Sequence, residues 1–372
     1  MKSLIVSTIG TSLITNPATK EERNLLNQHS NHKEKNCPEE IKLLIEKLFG
    51  SISEKLNSSD NSVIRKASAE LNGILGFYNE DLSSAENDFH FLISTDTLQG
   101  IKSAEVVANF LGVKNIACQP YTVPKLTTLN KEVFSEGIKN LLKWFDETIA
   151  GYKNSGYQII FNLTGGFKSL QGYLNTIAMF YADKIIYIFE SESAELIEIP
   201  RLPIKIDNSI FENDLSKFLL LADEKLNFNE FPEIHESLID RIDDYIILSV
   251  WGELVWNKVK YQLLKNLVEL PNLIYEQSFQ KCFDNIIDVR EKVTVLETLA
   301  KVSNLLRSNN NNVAVLKKDG GLLYEDYKST KIDNVPVGHF RINQGDRISC
   351  QFKNKKLYLR KYGRHDFVNN NP

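Results

Sequence analysis

Apolar positions in the first two hundred residues follow two alternating periods. Short apolar runs fall at 4–7, 89–94, 115–119, 158–163 and 184–189, as expected of strands buried in a sheet. Between them, segments 39–56, 63–78, 103–111, 131–150 and 167–181 repeat apolar residues every three or four positions, as amphipathic helices do. The alternation predicts an α/β domain over 1–207, a mainly parallel sheet with helices on both faces. Residues 16–38, rich in Asn, Lys, Glu and His, predict a mobile polar loop. Ile199-Pro200-Arg201-Leu202-Pro203 closes the domain, because two prolines so close continue neither a helix nor a central strand.

The pattern then changes. Over 208–271 it predicts a helical or winged-helix-like connector, including a helix over 245–264 in which Trp251 and Trp256 serve as core or interface anchors. The last segment, 272–372, predicts an α+β domain. A strand at 273–279 and a helix at 289–306 precede an antiparallel sheet. In that sheet Phe340, Ile342, Ile348, Cys350, Phe352, Leu357 and Leu359 alternate with His339, Arg341, Asn343, Arg347, Ser349, Gln351, Tyr358, Arg360 and Tyr362. One face is apolar and can be covered by the helix; the other is polar, basic and aromatic.

Candidate chemistry collects where strands end. The fourth run stops at Thr164-Gly165-Gly166, and a helical pattern resumes at Phe167-Lys168. Paired glycines allow close backbone approach, and the amides opening a helix bind anions, usually phosphate. The spacing is neither a dinucleotide fingerprint nor a P-loop. Two more strands end in Gly10-Thr11-Ser12 and Thr95-Asp96-Thr97, so three loops bring hydroxyls and small residues to one sheet edge. The plain alternative is that these hydroxyls are only helix caps.

Charge sharpens the contrast between the two ends. The whole chain of 372 residues carries a net charge of −4, yet 331–366 holds nine Lys/Arg against three Asp/Glu. A basic, Tyr-bearing sheet face suits a nucleic-acid backbone. Cys37, Cys118, Cys282 and Cys350 are scattered without a CxxC pair, which favours reduced thiols in a cytoplasmic protein. His29, His32 and Cys37 lack a fourth metal ligand nearby. No run is long enough to span a membrane and the N-terminus lacks the features of a signal peptide.

Two family resemblances rest on these residues. Gly10-Thr11-Ser12-Leu13-Ile14-Thr15-Asn16, Ser94-Thr95-Asp96-Thr97, Asn162-Leu163-Thr164-Gly165-Gly166-Phe167-Lys168 and Ile199-Pro200-Arg201-Leu202-Pro203 occur in the order found in CARF domains of CRISPR-associated effectors. The first 207 residues therefore resemble that Rossmann-like sensor of cyclic oligoadenylates. The resemblance implies a homodimer that binds the ring, expected to be cyclic tetra-adenylate, as an allosteric activator. Its contacts would be Gly10, Thr11, Ser12, Thr95, Asp96, Thr97, Thr164, Gly165, Gly166, Phe167 and Lys168. The segment 272–372 resembles the RelE-like ribonuclease toxins, through Arg341-Ile-Asn-Gln-Gly-Asp-Arg347 and Tyr362-Gly-Arg-His-Asp-Phe367.

That second resemblance implies cleavage of translating mRNA on the ribosome, with neither metal nor cofactor, by attack of a 2′-hydroxyl on the neighbouring phosphate. Arg341, Arg347 and Arg364 would stabilise the charge gained at phosphorus. His365 would act as general acid, with His339 as a second candidate acid or base. Tyr358, Arg360 and Lys361 would position RNA. Many members end in a catalytic tyrosine, where this chain has Phe367. Two other readings stay open: a ligand-responsive regulator binding DNA through 208–271, and a sensor domain that hydrolyses its own ligand as a phosphodiesterase.

Overall fold

The computed structural model describes residues 2–188, 195–230 and 234–372. The chain divides into two compact units, Met1–Lys205 and Ile206–Pro372. Among the described residues, no helix is long and apolar enough to cross a membrane.

In the first unit, six strands form one sheet: β1 (Ser3–Thr8), β2 (Phe89–Ser94), β3 (Ala117–Thr122), β4 (Gln158–Asn162), β5 (Lys184–Ile188) and β6 (Leu196–Pro200). Their spatial order is β3-β2-β1-β4-β5-β6. The first five run parallel and β6 pairs antiparallel at the edge. The proline expected to end the domain is thus the last residue of an edge strand, where a missing N–H is tolerated. Residue 189, expected to end β5, lies outside the described residues.

The sheet is buried on both faces. Ile5, Leu92, Ile160 and Ile186 share a core with helices Glu39–Leu56 and Leu98–Val113. On the other face Phe91 meets Trp144 edge-on and Phe145 packs on Phe161, both from helix Lys131–Asn154. The order reverses between β1 and β4. Crossovers leave them in opposite directions, and the gap beyond their carboxyl ends is where ligands settle in such sheets.

Two expectations for this unit are corrected. The single helix expected over 63–78 is two, Asn61–Ala67 and Ala69–Phe77, broken at Ser68 (φ −148°, ψ 135°). Ser68 Oγ accepts from Leu71 N at 3.2 Å and starts the second helix, so local capping overrides the apolar periodicity. The polar segment 16–38 is also ordered. Thr19 and Glu22 form a reciprocal capping box for helix Lys20–Gln28. Leu26 is buried, and Asn31 Oδ1 accepts from Thr127 Oγ1 at 2.6 Å and Thr128 Oγ1 at 2.9 Å.

In the second unit, β7 (Leu226–Asn227), β8 (Ile239–Ile242) and β9 (Tyr245–Leu248) form a small sheet in the order β7-β9-β8. The helix expected over 245–264 therefore begins only at Val250, with Ser249 Oγ accepting from Gly252 N at 3.0 Å. Asp243, at φ 53°, makes the tight turn that separates β8 from β9. Trp256 is buried and stacked on Phe218.

The larger sheet adds β10 (Leu273–Tyr275), β11 (Glu325–Ile332), β12 (Val335–Arg341), β13 (Asp346–Lys353) and β14 (Lys356–Arg364), in the order β10-β14-β13-β12-β11. All neighbours are antiparallel except β10 with β14. The strand expected over 273–279 stops at Tyr275, and Gln277–Asp284 is a helix. Helix Val289–Ser308 shares a core with Phe340, Ile348, Leu357 and Leu359, as expected. The same core takes in Phe218, Trp256 and Leu264, so 208–271 and 272–372 are joined by common packing.

Candidate functional site

At the switch point of the first unit, two backbone turns meet. A Cβ on Gly10 would lie 2.9 Å from Gly166 N and 3.2 Å from its Cα, so only glycine permits this approach. Gly166 itself has φ +94°, the left-handed region. Thr8 Oγ1 donates to Gly165 O at 2.6 Å, and Gln171 Nε2 donates to Leu163 O at 3.1 Å and Gly165 O at 3.2 Å. Helix Lys168–Tyr181 then opens with no side-chain cap on its first amides, and with Lys168 exposed. The turn keeps its donors available for an anion.

Beneath it lies a residue that the chain's pattern did not flag. Glu70 is fully buried. Its carboxylate accepts from Gly10 N and Ser68 Oγ, and from Ser12 Oγ at 3.2 Å. A Cβ on Gly165 would collide with the same carboxylate. Asn162 completes the underside, its Nδ2 donating to Ser7 Oγ at 3.2 Å and Glu70 O at 3.1 Å. Beside these loops a cavity of about 700 Å³ is lined by Ser12, Asn61, Arg65, Asn72, Thr164 and Tyr187. Thr164 Oγ1 is buried without a partner.

The expected ligand contacts thus divide. Gly165, Gly166, Thr164, Phe167 and Lys168 form one turn, and Gly10 with Ser12 lies against it, though the Gly10 amide is already given to Glu70. Thr11 caps the short helix Ser12–Thr15 without a side-chain bond. Of Thr95, Asp96 and Thr97, Thr97 caps helix Leu98–Val113. Thr97 Oγ1 accepts from Gly100 N at 3.2 Å, and Thr95 Oγ1 lies 2.8 Å from it. Asp96 pairs with Lys33 and accepts from Lys125 N at 3.0 Å. Asp96 thus ties down Lys33 and, through its amide, Leu126.

In the second unit the polar sheet face is built by register. Arg341 stands directly across from Arg347, and His339 from Ser349. Two guanidinium groups side by side repel each other, a cost that a bound anion would relieve. Burial, then the Arg341 charge, lowers the Arg347 pKa from its usual value. Burial likewise holds His339 below the ordinary histidine value; Glu325 opposes this and the Arg347 and His365 charges add to it. Arg341 Nε, His339 Nδ1 and Ser349 Oγ are all buried without a hydrogen-bond partner.

The face is not open, as expected, but roofed at one end. Helix His365–Asn370 packs on β13 and β14 and buries Val368. Tyr327, on β11, stacks on His339 with ring centroids 4.7 Å apart and donates to Asn369 Oδ1 at 2.8 Å. His365 is half exposed; Nδ1 lies 3.0 Å from Asp366 Oδ1 and Nε2 3.0 Å from Asn369 Nδ2. Arg347 Nη1 donates to Asn343 O at 2.9 Å and Asp346 O at 3.0 Å, bracing its own turn. Arg364 projects outward, its Nε 3.6 Å from Asp346 Oδ1.

Alternation also fails on β14. Ser349 pairs with Lys361 but Cys350 with Leu359, so Arg360 sits in a bulge. Tyr362 is thereby turned to the apolar side, where it is buried and donates to Glu291 Oε1 at 2.8 Å. Arg360 pairs with Glu276 at 3.1 Å, and Lys353 lies over the Tyr358 ring at 4.3 Å. Among the described residues no group of three or more His, Cys, Asp or Glu is placed to hold a metal ion.

The first unit is therefore a mainly parallel α/β domain with an uncapped glycine turn at its switch point. Over residues 65–202 the chain matches the family model described as CRISPR-associated protein (Cas_APE2256). That stretch carries Glu70, β2 to β6 and the Gly165-Gly166 turn, while Thr8, Gly10 and Ser12 precede it.

Proposed function

We propose that this protein is a sensor–effector of CRISPR-associated signalling. In this reading, cyclic oligoadenylate binds two copies of the first unit at the Gly10 and Gly165-Gly166-Phe167-Lys168 turns, and the second unit then cleaves mRNA on the ribosome. The observation that carries the proposal is the meeting of Gly10 and Gly166 at the switch point of a domain matching a CRISPR-associated family. Uncapped helix amides, a mobile lysine and a neighbouring polar cavity suit a ring that presents phosphates and bases together. A two-fold pair of such sites would meet the symmetry of a cyclic ligand.

The effector reading is supported by the Arg341–Arg347 pair and the unpartnered donors beside it. Charge gathered on phosphorus during 2′-hydroxyl attack would be stabilised there, without any cofactor. Neutral His339 is suited to accept the 2′ proton. Coupling requires the ring to prefer one arrangement of the dimer.

Calorimetric titration of the full chain with cyclic tri-, tetra- and hexa-adenylate tests the sensor half. One ring bound per two chains is expected for one of the three, weakened at least about tenfold by Lys168→Ala, as loss of one charge-assisted contact implies. Failure of all three to bind would remove the sensor assignment.

A further inference from the structure

Cleavage as proposed needs a group to protonate the departing 5′-oxygen. On the polar face of the second sheet, arginines are poor donors of a proton, and His339 is held neutral. His365 is half exposed, with both ring nitrogens within hydrogen-bond distance of Asp366 and Asn369. Another proton-bearing group lies beside Arg347 and stacks on His339, and no motif flagged it: Tyr327.

Its placement is specific. Asp326 pairs with Gly338 and Lys331 with Pro336, so 327–330 bulge out of β11 against a single residue of β12. Bulges of this kind re-aim side chains and gather next to active sites. Here the bulge sets the Tyr327 ring on His339, and the phenol donates to Asn369 Oδ1, a bond it exchanges for one to O5′ when it gives up its proton. His339 pairs with Ser349 and Arg341 with Arg347 across the ladder, and Ser349 Oγ, Arg341 Nε and His339 Nδ1 are each buried without a partner. A phosphodiester entering this face would fill those vacancies and meet the phenol. Burial pushes the phenol up to about 12, against the Arg347 charge, so it keeps its proton at neutral pH.

We propose, resting on the ribonuclease reading, that Tyr327 is the catalytic proton donor of this site. As the 2′-oxygen bonds to phosphorus, the P–O5′ bond breaks. The 2′ proton passes to His339 and the Tyr327 proton to O5′. The products are a 2′,3′-cyclic phosphate and a free 5′-hydroxyl; the tyrosinate then recovers a proton from the imidazolium stacked on it.

The test uses the full chain with ribosomes, cyclic oligoadenylate and two mRNAs. One mRNA carries an ordinary phosphodiester at the cut site; in the other, sulfur replaces the bridging 5′-oxygen and leaves without protonation. Tyr327→Phe keeps the ring on His339, and its thermal unfolding is recorded beside the wild type. Expected is a loss of about 100-fold or more on the oxygen substrate, with cleavage of the sulfur substrate close to wild type. Equal losses on both substrates would make Tyr327 a structural residue, and no loss would exclude it; either result overturns the proposal alone. The same selective pattern in His365→Ala, without it in Tyr327→Phe, assigns the proton to His365. If the wild type cuts neither substrate, the ribonuclease reading falls and this proposal with it.

Discussion

The amide of Gly10 donates to the carboxylate of Glu70, a residue sixty positions further along the chain. A buried acidic side chain therefore sits directly under the turn proposed to receive an anionic ring. It holds Gly10 and Ser12 down and leaves the Gly166 side of the cradle for the ligand. Removing it by Glu70→Ala strands three donors, which should lower the stability of the first unit by about 1–3 kcal/mol. Urea unfolding followed by tryptophan fluorescence measures this, and binding of the cyclic ligand should weaken in parallel.

Gly165→Ala should act in the same direction through sterics. The added methyl collides with Glu70, which has no room to withdraw. A loss of about 1–3 kcal/mol is expected for overpacking of this kind. Double substitution with Glu70→Ala should cost less than the sum of the two, since the collision disappears with the carboxylate.

Acid should weaken the first unit through His90. Its ring is fully buried, with Nε2 3.0 Å from Tyr78 Oη and Nδ1 without a partner. Burial pushes its pKa down to about 3. The unfolded chain therefore binds this proton near pH 6.5 while the folded one does not. The associated stability is present above pH 6.5 and is lost as pH falls from there toward 3, up to about 5 kcal/mol at 1.4 kcal/mol per pH unit. His90→Gln should flatten that slope relative to the wild type in unfolding measured from pH 7 to pH 4.

Arg341→Ala separates function from folding. Removing one of two like charges set directly across a ladder should leave the unfolding midpoint unchanged or slightly raised. Cleavage should fall by about 10²–10³, as when one preorganised donor is lost from a transition-state site. Ring binding, measured by calorimetry, should not change.

Much of this was legible along the chain and some was not, for reasons that differ. The parallel strands and the helix Glu39–Leu56 announce themselves because burial on one or both faces writes a period into the sequence. The Thr164-Gly165-Gly166 turn is visible because only glycine tolerates its backbone. Glu70 is invisible: a carboxylate in a helix reads as a solvated surface until Ser68 breaks that helix and turns the acid inward. Tyr362 was misplaced by a bulge at Arg360, which shifts the two-residue period by one. Tyr327 was missed because β11 has little apolar alternation. At Thr95–Thr97 the sequence left two readings, and the structure adds a helix cap at Thr97.

The most direct measurement is cell-free translation with the purified full chain, with and without cyclic tetra-adenylate, mapping cut positions on the mRNA. The account predicts cuts that appear only with the ring, fall within ribosome-occupied codons, and leave 5′-hydroxyl ends. Intact mRNA under every cyclic oligoadenylate, or equal cutting of naked and translating RNA, would contradict it.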